Sequence, residues 1–375
     1  MTDSEFIPVA APVLDGNEKA YVLDCLESTW ISSSGKYLDR FEGAFAEFCG
    51  VKHAVSCSNG TTALHLALLA LGVGPGDEVI VPTLTFVATA NAVTYCGAKP
   101  VFVDVEAETW TIDPTLIEAK ITPRTKGIMV VHLFGHPADM ETIGAVARRH
   151  GLFVLEDAAQ AHGAECRGRR AGSLGDIATF SFFGNKIVTT GEGGMVTTRD
   201  EALAERMRLL RTHGMDATRR YWHPVIGYNY RMTNVAAAIG LAQLERVQWQ
   251  LARRQEVAGW YREALGRTGV LMCQAEKPWA RHVWWMFSVL VSQEAADRDD
   301  VMDALRAQGV ETRPFVHPLH TLPPYVEATG REPFPVAEAI ARSGINLPTW
   351  AGLTRAQVDT VCDKLLECLA VARTA

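Results

Sequence analysis

Short β-branched runs alternating with longer amphipathic stretches limit the folds open to this chain more than any other feature of its sequence. The runs are EVIVP at 78–82, PVFVDV at 100–105, GIMVVH at 127–132, LFVLED at 152–157, ATFSFF at 178–183 and GGMVTT at 193–198. Helical patterns lie between several of them, as at 139–150, where Met140, Ile143 and Ala147 recur at helical spacing. Strand, helix, strand at this rhythm predicts a largely parallel sheet covered on both faces. Past about residue 235 the pattern changes to a long helical stretch at 235–265. A mixed region containing WWMFSVLV at 284–291 follows, and then a last helix at 355–371. The expectation is an α/β fold with a large domain at 1–250 and a smaller α+β domain at 251–375, the N-terminal segment packing on the smaller one.

Composition narrows the class. The chain has 375 residues, 48% of them hydrophobic, which is enough to bury a large core. A formal charge of −7 with both signs interspersed leaves no basic stripe, so nucleic acid is not expected as a partner. MTDSEFIPVAAP begins with acidic residues where a secretory signal needs basic ones, and no apolar run approaches the roughly 20 residues of a membrane span. A cytoplasmic enzyme without membrane contact is the reading. The eight cysteines form no C-x-x-C pair and read as buried thiols.

In open α/β sheets ligands bind beyond the carboxyl ends of the strands, so the residues just past each run matter most. In SCSNGTTALHLALLALG, Ser58 and Asn59 suit a helix N-cap, Gly60 permits close backbone approach, and Thr61 opens a helix running to Leu71. The free N–H groups of such a first turn suit a phosphate, although an ordinary capped helix has the same signature. LFVLEDAAQAHG ends in Glu156 and Asp157, which strand alternation sends to opposite faces. One of these acids is either a cap for the next segment or a partner for a cationic ring nitrogen. Lys186 follows ATFSFF and precedes TTGEGG. It reads as a solvated loop lysine or as a desolvated amine able to attack a carbonyl. A phosphate cradle, a carboxylate and a nucleophilic amine at one sheet edge together match what pyridoxal 5'-phosphate requires. Ser181 adds a hydroxyl, and Phe86 is either a face for the ring or a core residue. The pairs His132/His136 and His317/His320 match metal-ligand spacing only loosely and lack an adjacent acid, so no metal site is expected.

The order SNGTTALHLAL, GDEVIVPTLTFVATANAV, EDAAQAHGA, GDIATFSFFGNK and TTGEGGMV resembles the DegT/DnrJ/EryC1/StrS sugar aminotransferases, of fold type I, over nearly the whole chain. The resemblance implies Lys186 as the residue that bonds the cofactor aldehyde, Asp157 as the partner of the ring nitrogen, and Gln160 as a contact to the ring or its phenolic oxygen. It puts Gly60, Thr61 and Ser181 on the phosphate. Asn229 would reach that phosphate from the other subunit, making a homodimer with shared sites. Within the family, RRYWHPVIGYNYRMTNVAAAIGLAQLERV and RPFVHPLHTLPPY resemble members that transfer an amino group from L-glutamate to C4 of a GDP-4-keto-6-deoxyhexose in a ping-pong cycle. Trp30, Ser32, Arg219, Arg231, Arg313 and His317 are candidate anchors for that nucleotide sugar. Two departures bear on the choice of hexose: Gln160 stands where such members often carry Glu, and His136 where relatives usually carry Gln. The alternatives are amination of another dTDP- or UDP-linked keto sugar, at C3 or C4, a dehydratase on the same scaffold, and a non-catalytic sensor. Family dehydratases replace the lysine by histidine, and Lys186 argues against that reading.

Overall fold

The computed structural model describes residues 6–266, 268–327, 330 and 332–372. A strand that the apolar runs did not announce comes first, β1 (His53–Cys57). The six runs then form β2 (Glu78–Pro82), β3 (Lys99–Val103), β4 (Thr125–Val131), β5 (Phe153–Asp157), β6 (Ile177–Ser181) and β7 (Gly194–Thr198). These strands hydrogen-bond in the order β1-β7-β6-β5-β4-β2-β3. From β3 across to β6 every pairing is parallel, whereas β7 runs antiparallel to both β6 and β1. The sheet is therefore mostly parallel and mixed, within an α/β fold of the fold type I kind.

Period-two alternation divides the strand residues between two apolar layers. Val79, Val81, Met129, Val131 and Leu155 join a large cluster that includes Leu64, Leu66 and Leu68 of the helix Gly60–Ala70. Their neighbours Ile80, Ile128, Val130 and Val154 face the other way, onto Ile143 and Val146 of the helix Met140–His150. Asp139 caps that helix by accepting from Thr142 N–H at 3.3 Å, and Gly151 ends it in the left-handed region at φ 64°, which costs glycine little.

The helical stretch at 235–265 is two helices, Asn234–Glu245 and Val247–Leu265, parted at Arg246, where no proline or glycine marks the break. The second of them serves two cores. Val247 and Leu251 belong to the large cluster, while Val257, Ala258, Tyr261 and Leu265 pack into another with Phe287, Ile345, Val358 and Leu365. Around that core stands an antiparallel sheet of Leu271–Cys273, Phe287–Val291, Gly344–Leu347 and Arg313–Pro314. The start of the chain joins it: Ile7 bridges Val310 in parallel, and its N–H donates to Gly309 C=O at 2.9 Å. Among the described residues no helix is long and apolar enough to cross a membrane.

Candidate active site

The carboxyl ends of β5 and β6 build the site. Alternation in β5 separates its two acids as the sequence requires. Glu156 is fully buried and accepts four hydrogen bonds, from the N–H groups of Gly172, Leu174 and Gly175 at 2.7–2.9 Å and from His132 Nε2 at 3.0 Å. His132 Nδ1 in turn accepts from Ala138 N–H at 3.1 Å, which fixes the tautomer that donates to Glu156. Glu156 thus holds the 172–175 turn, and no lone pair of His132 remains for a metal.

Asp157 lies on the other face, and its reading as a cap for the next segment holds. Its Oδ1 caps the next turn through Ala159 N–H at 3.2 Å, while Oδ2 accepts from the Thr89 hydroxyl at 2.8 Å. Burial raises its pKa, with Thr89, Ala159 and the positive charge of Lys186 acting in the opposite direction. Thr89 itself shares a hydrogen bond with Thr85 at 3.1 Å, so the segment after β2 orients the carboxylate.

Lys186 sits on the loop after β6. The residue is partly accessible, but the protein around its amine strips enough water to push it down to about 8, and Asp157 draws it back up. Its Nζ stands 3.9 Å from the ring centre of Trp285, whose indole N–H donates to Asn185 C=O at 2.9 Å. Gln160 is buried, and its Oε1 accepts from Phe134 N–H at 2.7 Å. Phe134, at φ 55°, passes the connection on, because its carbonyl accepts from Trp285 N–H at 2.9 Å.

The start of the helix Gly60–Ala70 is capped by Asn59 as the sequence predicts. Asn59 and Thr62 make a reciprocal cap, with Thr62 N–H on Asn59 Oδ1 at 2.9 Å and Asn59 N–H on Thr62 Oγ1 at 3.1 Å. Ala63 N–H returns to Asn59 C=O at 3.0 Å, so among the described residues the N–H groups of Gly60 and Thr61 have no protein acceptor. A Cβ on Gly60 would lie 2.7 Å from Ser181 Cβ, which shows how closely the helix mouth approaches the end of β6. Ser58 N–H donates to Tyr230 C=O at 2.9 Å, tying the cradle to the segment that bears Asn229. Phe86 is 57% exposed, so it is not a core residue and its ring is free to stack.

The remaining expected residues are spread more widely. Asn229 is exposed and accepts from Arg231 Nε at 3.1 Å and Nη2 at 3.0 Å, and Arg231 lines an open hollow of about 340 Å³ together with Ser58 and Glu192. The exposed Trp30 borders a second hollow with Asp24 and Lys36. Trp30 and Ser32 engage Asn234 through their carbonyls, at 2.7 and 2.6 Å. Arg219 lies over the Trp222 ring at 4.2 Å, Arg313 pairs with Glu311 at 3.8 Å, and His317 is exposed. Among the described residues, none of these side chains hydrogen-bonds or pairs with Lys186 or Asp157. His136 departs from expectation. It is fully buried, donates from Nδ1 to Pro137 C=O at 2.7 Å, accepts Lys277 N–H at Nε2 at 3.3 Å, and is pushed down to about 4 by burial. Both nitrogens are committed to the chain, so His136 cannot read a sugar. Thr89, Phe134 and Trp285 are the site residues that motif reasoning missed. A threonine four residues past Thr85 was a possible signal for the first, but nothing local marked the other two.

The sequence profile described as the DegT/DnrJ/EryC1/StrS aminotransferase family matches residues 12–366. The chain belongs to this family. It is 58% identical to the GDP-perosamine synthase of Caulobacter vibrioides over 96% of this chain and 98% of that one, and 49% identical to that of Escherichia coli O157:H7 over 97% and 98%. Among solved structures it is similar to S. venezuelae DesV in complex with a ketimine intermediate, at 39% identity and a TM-score of 0.88, with 94% of each chain covered. Family membership makes the chain an aminotransferase.

Proposed function

We propose that the chain is a pyridoxal-phosphate-dependent aminotransferase that moves the amino group of L-glutamate to C4 of a GDP-linked 4-keto-6-deoxyhexose, making a GDP-perosamine-type product. The observation that carries this reading is Lys186 on the loop after β6, its amine pushed down to about 8 by burial and drawn back up by the buried Asp157. The near-full-length likeness to two GDP-perosamine synthases supports the choice of sugar.

The residues present fit the cofactor. Lys186 would hold its aldehyde, Asp157 its ring nitrogen, Phe86 a ring face and Gln160 its edge. The N–H groups of Gly60 and Thr61, with Ser58, Asn59 and Ser181 beside them, would receive its phosphate, and Asn229 of the partner subunit would complete that shell in a homodimer. When bound, pyridoxal phosphate supplies an aldehyde that takes up the amino group and a protonated ring that accepts electrons from the substrate carbon. Asp157, fixed at Oδ2 by the Thr89 hydroxyl, would hold the proton at the ring nitrogen. Lys186 Nζ, its pKa lowered by burial, would accept a proton from the substrate carbon and return it. Trp30, Ser32, Arg219, Arg231, Arg313 and His317 are proposed to bind the nucleotide sugar, and the cofactor domain is taken as 1–250 with the smaller domain at 251–375.

The test is mass spectrometry of the product after incubation with glutamate and GDP-, dTDP- and UDP-linked 4-keto and 3-keto sugars. A product from the GDP-4-keto sugar that carries nitrogen transferred from ¹⁵N-glutamate supports the proposal. Dehydration without nitrogen, or amination confined to another sugar, contradicts it.

A further inference from the structure

Trp285 stands at a crossing of contacts that no sequence motif marked. It is 8% exposed and enters the site from the segment that precedes Phe287–Val291. Five observations converge on it. Its ring centre lies 3.9 Å from Lys186 Nζ, and its Nε1–H donates to Asn185 C=O, one residue before the lysine, at 2.9 Å. Its backbone N–H donates to Phe134 C=O at 2.9 Å, and the two rings stack at 18°. Its own carbonyl accepts from Arg254 Nη1, also at 2.9 Å. Gly135, at φ 105°, makes this docking possible, since a Cβ there would lie about 3 Å from Val283 and from the backbone N atoms of Trp284 and Trp285.

We infer that Trp285 is the positioning residue for Lys186, its indole face steadying the amine when it carries a proton and its Nε1–H fixing the loop that aims it. The physical reason lies in the ring quadrupole, which attracts a cation over its face most strongly where water is excluded. The carboxylate of Asp157 acts on the amine in the same sense. Burial opposes both, and the other ionisable groups nearby are His162, pushed down to about 3 by burial, and the buried Arg254 on the Trp285 carbonyl. A lysine that must alternate between protonated and free states needs a surface that tolerates both, and an aromatic face offers this without the fixed charge of a second acid. Through Phe134 and Gln160 the same indole is tied to the residue expected at the edge of the cofactor ring.

This role assumes Lys186 as the reacting amine, but its test reads the amine itself and stands whether or not the chain transaminates. Full-length wild-type protein, Trp285→Phe and Trp285→Leu, each freed of bound cofactor by dialysis, are labelled with trace acetic anhydride across a pH series. The modification of Lys186 is then followed by peptide mass spectrometry. Leucine keeps the site dry but removes the ring, so the apparent pKa of Lys186 falls by about one unit in Trp285→Leu and stays near the wild-type value in Trp285→Phe. Both variants lose the Nε1–H bond, so amide hydrogen exchange across 184–188 quickens in both. An unchanged or raised pKa in Trp285→Leu, measured on protein whose thermal unfolding remains cooperative, overturns the role of the ring. Unchanged exchange in both variants overturns the anchoring of the loop. If Trp285→Leu does not fold, a shift in Trp285→Phe toward lower pKa of the same size contradicts the ring's role, because phenylalanine retains an aromatic face.

Discussion

A lysine amine with an ordinary pKa of 10.5 that is held near 8 makes the folded chain carry a buried charge at every pH below about 8. The penalty disappears as the pH rises through 8 toward 10.5, where the unfolded chain still binds the proton and the folded chain does not. Lys186→Met therefore stabilises the cofactor-free protein at pH 7 by about 1–3 kcal/mol, the scale of a depressed lysine after allowance for partial exposure. That gain shrinks to nothing by pH 10.5, as urea unfolding of the two proteins side by side would show. A variant less stable than wild type at pH 7 would mean that the amine makes contacts worth more than its desolvation. At this scale the sequence singled out the groups proposed to react. Lys186 and Asp157 stood out because strand ends followed by glycine turns are where an α/β sheet exposes chemistry. Thr89 and Trp285 did not, because their roles arise from contacts across long stretches of chain, 68 residues from Thr89 to Asp157 and 100 from Trp285 to Asn185. His136 misled for a related reason, since burial and two backbone partners had already used both its nitrogens.

The helix Gly60–Ala70 and strand β6 meet at Gly60 and Ser181, and the phosphate proposal depends on that approach. A methyl group on Gly60 would stand 2.7 Å from Ser181 Cβ, an atom joined directly to the strand backbone and unable to swing aside. Gly60→Ala is expected to destabilise the protein by about 1–3 kcal/mol through overpacking. It should also raise the apparent dissociation constant for pyridoxal phosphate at least about tenfold, because the helix mouth must retreat from the anion it receives. Calorimetric titration of refolded apoprotein checks this, and unchanged affinity would place the phosphate elsewhere. Elements whose signal is local were legible. β-branched runs bounded by glycine and proline gave the strands from β2 to β7, and apolar spacing at Met140, Ile143 and Ala147 marked the helix Met140–His150. The break at Arg246 was not, since the apolar spacing continues through it and packing against two different cores divides the helices. The antiparallel setting of β7 was equally silent, because strand direction depends on the crossover and not on composition.

For the molecule as a whole, Asn229 and Lys186 are proposed to meet only between subunits. Exposed apolar side chains, among them Leu23, Leu26, Trp30, Ile31, Tyr221, Trp222 and Ile226, supply surface for such an association. Lys186→Ala and Asn229→Ala would each be impaired alone. Refolded together, they form mixed dimers in which one of the two sites has both native residues, so activity recovers to about a quarter of wild type by random pairing. No recovery on mixing would place Asn229 in its own subunit's site or outside any site. The central claim is the covalent link between Lys186 and pyridoxal phosphate. Reduction of the cofactor-loaded protein with sodium borohydride, followed by peptide mass spectrometry, tests it most directly. A phosphopyridoxyl group on Lys186 is the predicted result, and a label on another lysine, or on none, would contradict the account.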